Sequence, residues 1–394
     1  MTEKLYYNDS HLIEFEAKIV DIFEENRRLV LILDKTAFFP EGGGQLYDIG
    51  FINQSEVVEV QEKEGQIYHY LKDTQCNFQT GDSVTGKILW ELRFKRMQAH
   101  SGEHIISGVA HNLFGADNVG FHMDNDNILT IDFNIYLTKA QVSLLEQSTN
   151  DCIYKNLEIR SFTYAAEDIK NIDFRSKLEF TDSVRIVEID GVDKCACCAP
   201  HVKYTGEIGL IKILSCISHR GGVRLTAVCG ADAFEDYIRK YDNVLKIASQ
   251  LCAKHNEVSD AVEVLLQQNS SLKRKITEIN SKHLNYVASL VESADVILRF
   301  YEDFSIEDLR ELSNLLKDKC KIAVILLSGN NEIGYSYSVY SEKMNLSLFA
   351  KAFNLSLDGT GGGRGSIIQG KVKSNSEQIT EFVKNMRFEE YENA

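Results

Sequence analysis

The amino-acid sequence predicts an α+β protein that contains several domains. Apolar and polar side chains alternate between short polar turns over the first ninety residues, which is typical of β-strands. A helical heptad pattern follows much later, between Tyr237 and Tyr286. The chain has 394 residues, which is too many for one hydrophobic core. We therefore expect an N-terminal β-barrel, an α/β domain, a long coiled-coil helix and a small C-terminal α/β domain.

Residues 1–90 are expected to form the barrel. Polar turns at residues 24–26 and 64–65 join alternating segments, as in β-hairpins. Three consecutive glycines interrupt this region: Gly42, Gly43 and Gly44. Glycine lets the backbone approach a ligand closely at an entropic cost, and a structural turn seldom needs three of them. The run therefore predicts a ligand-facing loop.

Residues 91–231 contain two pairs of potential metal ligands. His100 and His104 lie four residues apart in a predicted helix, so their side chains are expected on one face, about 5–6 Å apart. Cys197 and His201 are also four residues apart, in a predicted tight loop. Each pair alone is more often a set of surface or buried residues than a metal site. Together they offer three imidazoles and a thiolate, which suit zinc, so we predict one zinc ion per chain.

Residues 232–292 are predicted to form one long helix. Apolar residues recur at alternating steps of four and three over seven heptads, without proline or glycine. At a rise of 1.5 Å per residue, an unbroken helix would be about 80 Å long. One interpretation is a coiled coil that joins two chains, and on it we expect a homodimer. A long helix that packs against its own domains would show the same pattern.

Residues 293–394 are expected to form a small α/β domain with a glycine-rich loop. The run GTGGGRGS lacks the Lys-Ser/Thr pair that a phosphate-binding P-loop requires. Backbone N–H groups of such a loop can still form a nest that binds an anion. A tight loop imposed by packing is the alternative interpretation.

The overall composition indicates a globular protein of a reducing compartment. Its net charge is −15, which argues against a general nucleic-acid binder but not against local basic patches such as Arg220 and Arg224. A solvated surface is the alternative interpretation of this pair. Nine cysteines at irregular spacing favour free thiols over disulfides. No apolar run is long enough to span a membrane and no N-terminal signal sequence is apparent, so a cytoplasmic location is expected.

The motifs resemble those of a known family. HSGEH, from His100, followed far downstream by CCAPH, from Cys197, resembles the zinc signature of the alanyl-tRNA synthetase editing domain and of the free-standing AlaX proteins. The segment TAFFPEGGGQLYDIG and the C-terminal segment DGTGGGRGSIIQG resemble further motifs of the family, in the same order. The resemblance implies a long-form AlaX protein whose C-terminal domain is similar to the DHHA1 domain.

The resemblance also implies a function and a set of site residues. AlaX proteins are trans-editing hydrolases that deacylate mischarged tRNA(Ala) at a zinc site, so Ser-tRNA(Ala) is the expected substrate and Gly-tRNA(Ala) a second candidate. Family positions tied to editing match Thr36, which is expected to read the serine hydroxyl, and Gln45. The expected substrate contacts are Gly42, Gly43, Gly44, Arg224, Gly361, Gly362 and Gly363. The family is also associated with ATP binding.

The sequence departs from the family pattern at the second ligand pair. Family members usually have C-G-G-T-H where this chain has C-C-A-P-H. Cys195 and Cys198 therefore add thiols beside Cys197, and either is an alternative sulfur ligand. Pro200 also removes a hydroxyl and a backbone donor that could have served the substrate. Whether the zinc ion activates water or positions the substrate is left open by the sequence.

Two other functions are compatible with the metal motif. A zinc-dependent hydrolase of a small ester or amide would act without tRNA and would not need residues 232–394. A structural zinc protein would assemble partners through its coiled coil and would unfold when the metal is chelated. No class II catalytic motif precedes the barrel, so we do not expect the chain to charge tRNA.

Overall fold

The chain folds as a mixed α/β protein with several sheets, which confirms the predicted class. The computed structural model describes all residues except 74–76, 170, 171, 173, 176–182 and 392–394. The chain divides into two compact units, an N-terminal unit of residues 1–246 and a C-terminal unit of residues 247–394. None of the described helices is both long enough and apolar enough to cross a membrane.

The N-terminal unit begins with a closed β-barrel. Its strands and those beside it are β1 (Glu3–Lys4), β2 (Glu14–Glu25), β3 (Arg28–Leu33), β4 (Lys35–Thr36), β5 (Gly50–Ile52), β6 (Ser55–Lys63), β7 (Gln66–Leu71) and β8 (Ser83–Ile88). Six of these strands close in the order β2-β3-β7-β6-β5-β8, and β1 pairs with β4 in parallel. Alternate residues of each strand point inward, as Phe15, Ala17 and Ile19 do in β2. The hairpin turns lie where the polar residues predicted them.

A central helix, α1 (Trp90–Phe114), follows the barrel and is buried on all sides between residues 96 and 110. Glycines permit this close packing. A Cβ atom at Gly102 would lie 2.4 Å from the sulfur of Cys229, and one at Gly108 would lie 2.4 Å from the carbonyl oxygen of Val192. The helix therefore carries polar side chains into the interior, where each needs a partner.

Two sheets and further helices surround α1. The elements are β9 (Asn118–Met123), β10 (Leu129–Phe133), α2 (Lys139–Tyr154), β11 (Ile159–Tyr164), α3 (Ala166–Ile169), β12 (Val184–Ile189), β13 (Asp193–Ala196), β14 (Ile211–His219) and β15 (Gly222–Cys229). One antiparallel sheet has the order β14-β15-β10-β9, and the other has the order β11-β12-β13. The loop that carries the second ligand pair begins where β13 ends.

The single long helix predicted from the heptads is two helices, α4 (Gly230–Leu251) and α5 (Val258–Leu290). Cys252 adopts a φ of 51°, the left-handed conformation that ends many helices. The N–H of Ala253 donates to the carbonyl of Ala248 across this end, at 2.9 Å. Because cysteine and not glycine occupies the left-handed position, the sequence contained no stop signal. The prediction of an unbroken rod is therefore wrong.

The C-terminal unit is built on one five-stranded sheet. After α5 its elements are β16 (Ala294–Tyr301), α6 (Ile306–Leu316), β17 (Cys320–Asn330), β18 (Gly334–Tyr340), α7 (Leu346–Ser356), β19 (Gly359–Arg364), β20 (Ile367–Val372) and α8 (Ser376–Asn385). The strand order is β16-β17-β18-β20-β19, with β16 and β17 parallel and the other pairs antiparallel.

The glycine run of this unit forms the edge strand β19, so the prediction of a glycine-rich loop is wrong. The left-handed residues here, Asp358 and Gly365, flank β19 and do not lie within it. Gly361 of the run and Gly370 of β20 pack against Tyr337, which is fully buried. A Cβ atom would lie 2.5 Å from the Tyr337 hydroxyl at Gly361, and 2.6 Å from the Tyr337 ring at Gly370.

Candidate metal centre and glycine loop

The four predicted ligands come together in one buried cluster. Their ligand atoms all lie within 4.8 Å of one another, which is close enough to hold a metal ion. The imidazole centroids are 5.4 Å apart for His100 and His104, and 4.6 Å apart for His104 and His201. The sulfur of Cys197 is 3.4 Å from Nε2 of both His100 and His201. The predicted pairs therefore converge: helix geometry brings His100 and His104 together, and the fold brings the loop of Cys197 and His201 against them.

Hydrogen bonds at Nδ1 turn two of the imidazoles so that Nε2 faces the cluster. Nδ1 of His104 lies 2.9 Å from the carboxylate of Asp193, which Arg175 in turn binds at 2.7 Å. Nδ1 of His201 lies 3.0 Å from the hydroxyl of Ser101. Such partners fix the ring orientation of metal-ligating histidines. Nδ1 of His100 is buried without a hydrogen-bond partner among the described residues.

Electrostatics favour Cys197 as the sulfur ligand. Burial opposes the thiolate, but the neighbouring imidazoles of His100 and His201 hold the pKa of Cys197 well below its usual range. Burial raises the pKa of Cys195 to about 11, so its thiol stays protonated at neutral pH. Cys195 lies instead in a second group with His104 and Asp193. Within the described residues, Cys198 belongs to neither group.

The glycine loop of residues 42–45 lies directly against this cluster. A Cβ atom at Gly43 would be 3.3 Å from the sulfur of Cys198 and 4.0 Å from the His100 ring. Gly43 and Gly44 have φ values of 60° and 83°, a region that disfavours other residues. A Cβ atom at Gly44 would overlap Phe121, whose ring packs edge-on against His100 at 5.3 Å. Turn geometry thus favours glycine at residues 43 and 44, and Phe121 excludes a side chain at Gly44, whereas a Cβ atom at Gly42 would meet nothing closer than 3.7 Å.

Gln45 ends this loop with an unsatisfied side chain. It is 1% exposed, and both its amide nitrogen and its amide oxygen lack partners among the described residues. Its backbone is fixed, because the N–H and C=O groups of Gln45 and Gly42 exchange hydrogen bonds at 3.0 Å. A buried amide without partners costs about 1–3 kcal/mol, so groups of this kind commonly wait for a ligand or water.

Thr36 lies in a closed hydrogen-bond network at the start of the same segment. Burial lowers the pKa of His69 to about 4, so its imidazole is neutral, and its Nδ1 donates to the carbonyl of Leu31 at 3.1 Å. Nε2 of His69 must therefore accept the proton of the Thr36 hydroxyl, at 2.9 Å. The same hydroxyl accepts the N–H of Phe38 at 3.1 Å. Thr36 is fully buried, and one lone pair of its hydroxyl remains unused.

The remaining predicted substrate contacts lie elsewhere. Arg224, on β15, binds both carboxylate oxygens of Asp132 on the neighbouring strand, at 2.7 and 2.8 Å. Gly361, Gly362 and Gly363 belong to the C-terminal unit, on the exposed edge strand β19. No described contact joins any of these residues to the metal centre, and their predicted roles stay predictions.

Sequence reasoning missed the residues that support the ligands. Asp193 and Ser101 lie inside the motifs that were identified, but their roles depend on contacts across 89 and 100 residues. Glu103 is also buried, and its carboxylate lies 4.0 Å from Nε2 of His104 while it accepts from Ser107. The available signal was the presence of polar residues within a helix that is otherwise apolar enough to be buried. Buried polar residues need hydrogen-bond partners, so these residues could have been identified as candidates for supporting the ligands.

Three protein-family models match the chain. Residues 1–92 match class II (A) tRNA synthetases, and residues 184–225 match the second additional domain of threonyl and alanyl tRNA synthetases. Residues 286–388 match the DHHA1 domain. The C-Ala domain of Aquifex aeolicus alanyl-tRNA synthetase matches 23% of the chain at 22% identity, with a TM-score of 0.21 that supports no assignment of fold.

Curated relatives cover almost the whole chain. An alanine–tRNA ligase of Methanococcus maripaludis is 31% identical over 96% of the chain, which spans 43% of that ligase. A ligase of Alkaliphilus oremlandii is 27% identical, and the chain spans 44% of its length. The alanyl-tRNA editing protein AlaX-L of Pyrococcus horikoshii is 29% identical, with 96% of both chains aligned. The resemblance carried by the motifs is thus confirmed: the chain is similar, over almost its whole length, to the AlaX-L editing protein and to the corresponding part of alanine–tRNA ligases.

Proposed function

We propose that the chain is a trans-editing deacylase that hydrolyses the ester bond of mischarged tRNA(Ala), with serine as the main misplaced amino acid and glycine as the second. One observation carries the proposal. The glycine loop, with the unpaired amide of Gln45, lies against a buried His/Cys cluster. Similarity to AlaX-L along the whole chain supports the same conclusion.

The donor set fits zinc. Three imidazoles and one thiolate make a ligand set that suits zinc, and the supporting contacts of Asp193 and Ser101 are of the usual kind. When bound, zinc would polarise a carbonyl or lower the pKa of a water molecule. Four protein ligands fill a tetrahedral site, so activation of water would need a fifth position, and orientation of the substrate is the alternative.

The protein itself binds and orients the aminoacyl group. The amide of Gln45 offers both a donor and an acceptor to that group, in a loop that lies against the cluster. The unused lone pair of the Thr36 hydroxyl accepts a hydrogen bond from the hydroxyl of a serine substrate. Alanine has no hydroxyl and cannot donate this bond. Because Thr36 is fully buried, the substrate reaches it when the loop admits the aminoacyl group. A site that pairs a hydroxyl can reject the analogue that lacks it by about 10⁴-fold.

The tRNA body needs a wider surface than this site. We propose that Arg224 and the exposed edge strand of Gly361, Gly362 and Gly363 contribute to it, through charge and through backbone groups. The same C-terminal unit argues against a hydrolase of small esters, which would not need residues 247–394. A purely structural zinc site would not explain a buried, unpaired amide in the loop that lies against it.

We further propose that the chain forms a homodimer through α5. Val262, Leu265, Leu272, Ile276 and Ile279 occupy heptad positions on this helix and are 37–64% exposed. Apolar residues in this repeat form the seam of a coiled coil, which would remove them from water. At 33 residues, α5 would provide a seam about 50 Å long.

Deacylation of tRNA tests the central proposal. We expect Ser-tRNA(Ala) to be hydrolysed rapidly, Gly-tRNA(Ala) more slowly and Ala-tRNA(Ala) barely above the buffer rate, measured as kcat/KM for each substrate. The His104→Ala protein is the control for loss of the metal centre. Hydrolysis of Ser-tRNA(Ala) at the buffer rate would exclude the function.

Metal analysis tests the zinc centre. We expect about one zinc ion per chain, a clear loss in His104→Ala, and an affinity lowered roughly 10- to 100-fold in Asp193→Asn, because Asp193 orients a ligand. Asp117→Asn is the matched control, since Asp117 lies 3.0 Å from Nδ1 of His111, outside the centre. A full equivalent of zinc retained in both His104→Ala and Cys197→Ser would contradict the assignment.

Selectivity tests the role of Thr36. We expect Thr36→Val to lower kcat/KM for Ser-tRNA(Ala). The loss of transition-state stabilisation should be about 1–3 kcal/mol, because the serine hydroxyl is left buried and unpaired. Gly-tRNA(Ala), which has no hydroxyl to read, should lose much less, and Thr36→Ser should retain the serine activity. Equal losses on both substrates would mean that Thr36 supports the loop through His69 and does not read the side chain.

The oligomeric state tests the proposed seam. We expect the wild-type chain to be a dimer at micromolar concentration by light scattering, and the double variant Leu272→Lys, Ile279→Lys to be a monomer. Leu355→Lys is the matched control, because Leu355 is an apolar residue of α7 that is 88% exposed. A monomeric wild-type protein would remove the dimer from consideration.

A further inference from the structure

Two arginines of α1 are buried side by side, and their hydrogen bonding differs. Arg93 is 1% exposed and donates to the carboxylate of Asp48 and to the carbonyls of Ser10 and Ala37. Arg96 is 6% exposed, and among the described residues its side chain donates to a single group, the carbonyl of Tyr47. Its Nε is buried without a partner in the described part of the chain. One guanidinium is therefore satisfied and the other is not.

The local charge is also unbalanced. Asp48 forms its ion pair with Arg93, and no described carboxylate lies within ion-pair distance of Arg96. Burial lowers the pKa of Arg96, yet an arginine side chain remains protonated at neutral pH because its ordinary pKa is above about 12. A buried cation that lacks an anion is costly. Two guanidinium groups against one carboxylate thus make this place ready for an anion.

The position of Arg96 connects it to the site. It precedes His100 by four residues on α1, so both side chains leave the same face of the helix. Its acceptor, Tyr47, follows Gln45 by two residues at the end of the glycine loop. Arg96 consequently lies where the helix that carries the ligands meets the loop proposed to hold the aminoacyl group.

The chemistry of the proposed substrate limits which anion can bind there. In an aminoacyl-tRNA the amino-acid carboxyl is esterified and carries no charge, and the amino group is a cation. The formal negative charges are those of the phosphodiesters. The nearest one to the ester is the phosphate on the 5′ oxygen of the terminal adenosine.

We propose that Arg96 binds this terminal phosphate and so positions the ester at the metal centre, an inference that rests on the proposed function. A guanidinium presents several N–H donors in a planar fork, the geometry that suits phosphate oxygens. Nε and the second terminal nitrogen of Arg96 are the donors available for it. Arg96 is a substrate-binding residue and takes no part in bond cleavage.

Two small esters that differ only in the 5′-phosphate measure its contribution to catalysis. We would compare 3′-O-seryl-adenosine with 3′-O-seryl-adenosine 5′-monophosphate as substrates of the wild-type protein, Arg96→Met, Arg96→Lys and Lys95→Met. We expect the wild type to prefer the phosphorylated ester roughly 10- to 100-fold in kcat/KM, the range of one or two charged hydrogen bonds. Arg96→Met should lose this preference, with little change on seryl-adenosine, and Arg96→Lys should recover part of it.

Lys95→Met is the matched control for loss of a positive charge on the same helix. Lys95 binds Asp232 and Glu235 at 2.7 and 3.0 Å, away from the loop, so the preference should persist. Equal losses by Arg96→Met on both esters would overturn the inference, because they would mean that Arg96 acts at the reacting ester or on the fold. Loss of the preference in Lys95→Met as well would also overturn it.

A measurement on the wild-type protein decides the matter if Arg96→Met fails to fold. Adenosine 5′-monophosphate should bind at least tenfold more tightly than adenosine by calorimetry, and added salt should reduce the difference. Equal affinities would overturn the inference. Failure of the wild type to cleave Ser-tRNA(Ala) would instead remove the proposed function, while the comparison of the two nucleotides would still report on the phosphate site.

Discussion

The buried ion pair between Arg93 and Asp48 holds the site together. Arg93 belongs to the helix that carries two of the metal ligands, and Asp48 follows the glycine loop. The same carboxylate accepts the N–H of Phe39 at 2.6 Å, so it fixes both ends of the segment that includes the loop. Removal of one partner would leave a buried charge, at a cost of about 3–5 kcal/mol. The distance between loop and ligands depends on this pair.

A second buried pair supports the other half of the site. Arg175 holds Asp193, and Asp193 orients His104, so the strand β13 is attached to the same helix that Arg93 anchors to the barrel. The centre is thus assembled from three distant segments of chain: the glycine loop, α1 and the loop after β13. Buried ion pairs anchor two of these segments: Asp48 binds Arg93 beside the glycine loop, and Asp193 binds Arg175 just before the loop after β13. This arrangement explains how a helix with so many polar residues can be central to the unit.

Much of this could be predicted from sequence, wherever the determining interactions are local. The hairpins of the barrel follow from period-two patterns, and the approach of His100 to His104 follows from helix geometry. The partners of the ligands could not be predicted, because Asp193 and Ser101 act across about a hundred residues. The end of the helix at Cys252 could not be predicted either, because cysteine seldom adopts the left-handed conformation that ends the helix there. Resemblance to a family identified Thr36, but the network with His69 required the fold.

The packing of Tyr337 changes how the C-terminal glycine run should be interpreted in related chains. The ring occupies a slot that exists because Gly361 and Gly370 lack side chains, and Asn354 accepts its hydroxyl proton at 2.9 Å. Any homologue that keeps a tyrosine at this place must keep small residues opposite it, whatever the strand binds. The two strands should therefore covary with the tyrosine during evolution. Invariance of Gly361 and Gly370 across a family would report the shape of this core before it reported contact with RNA.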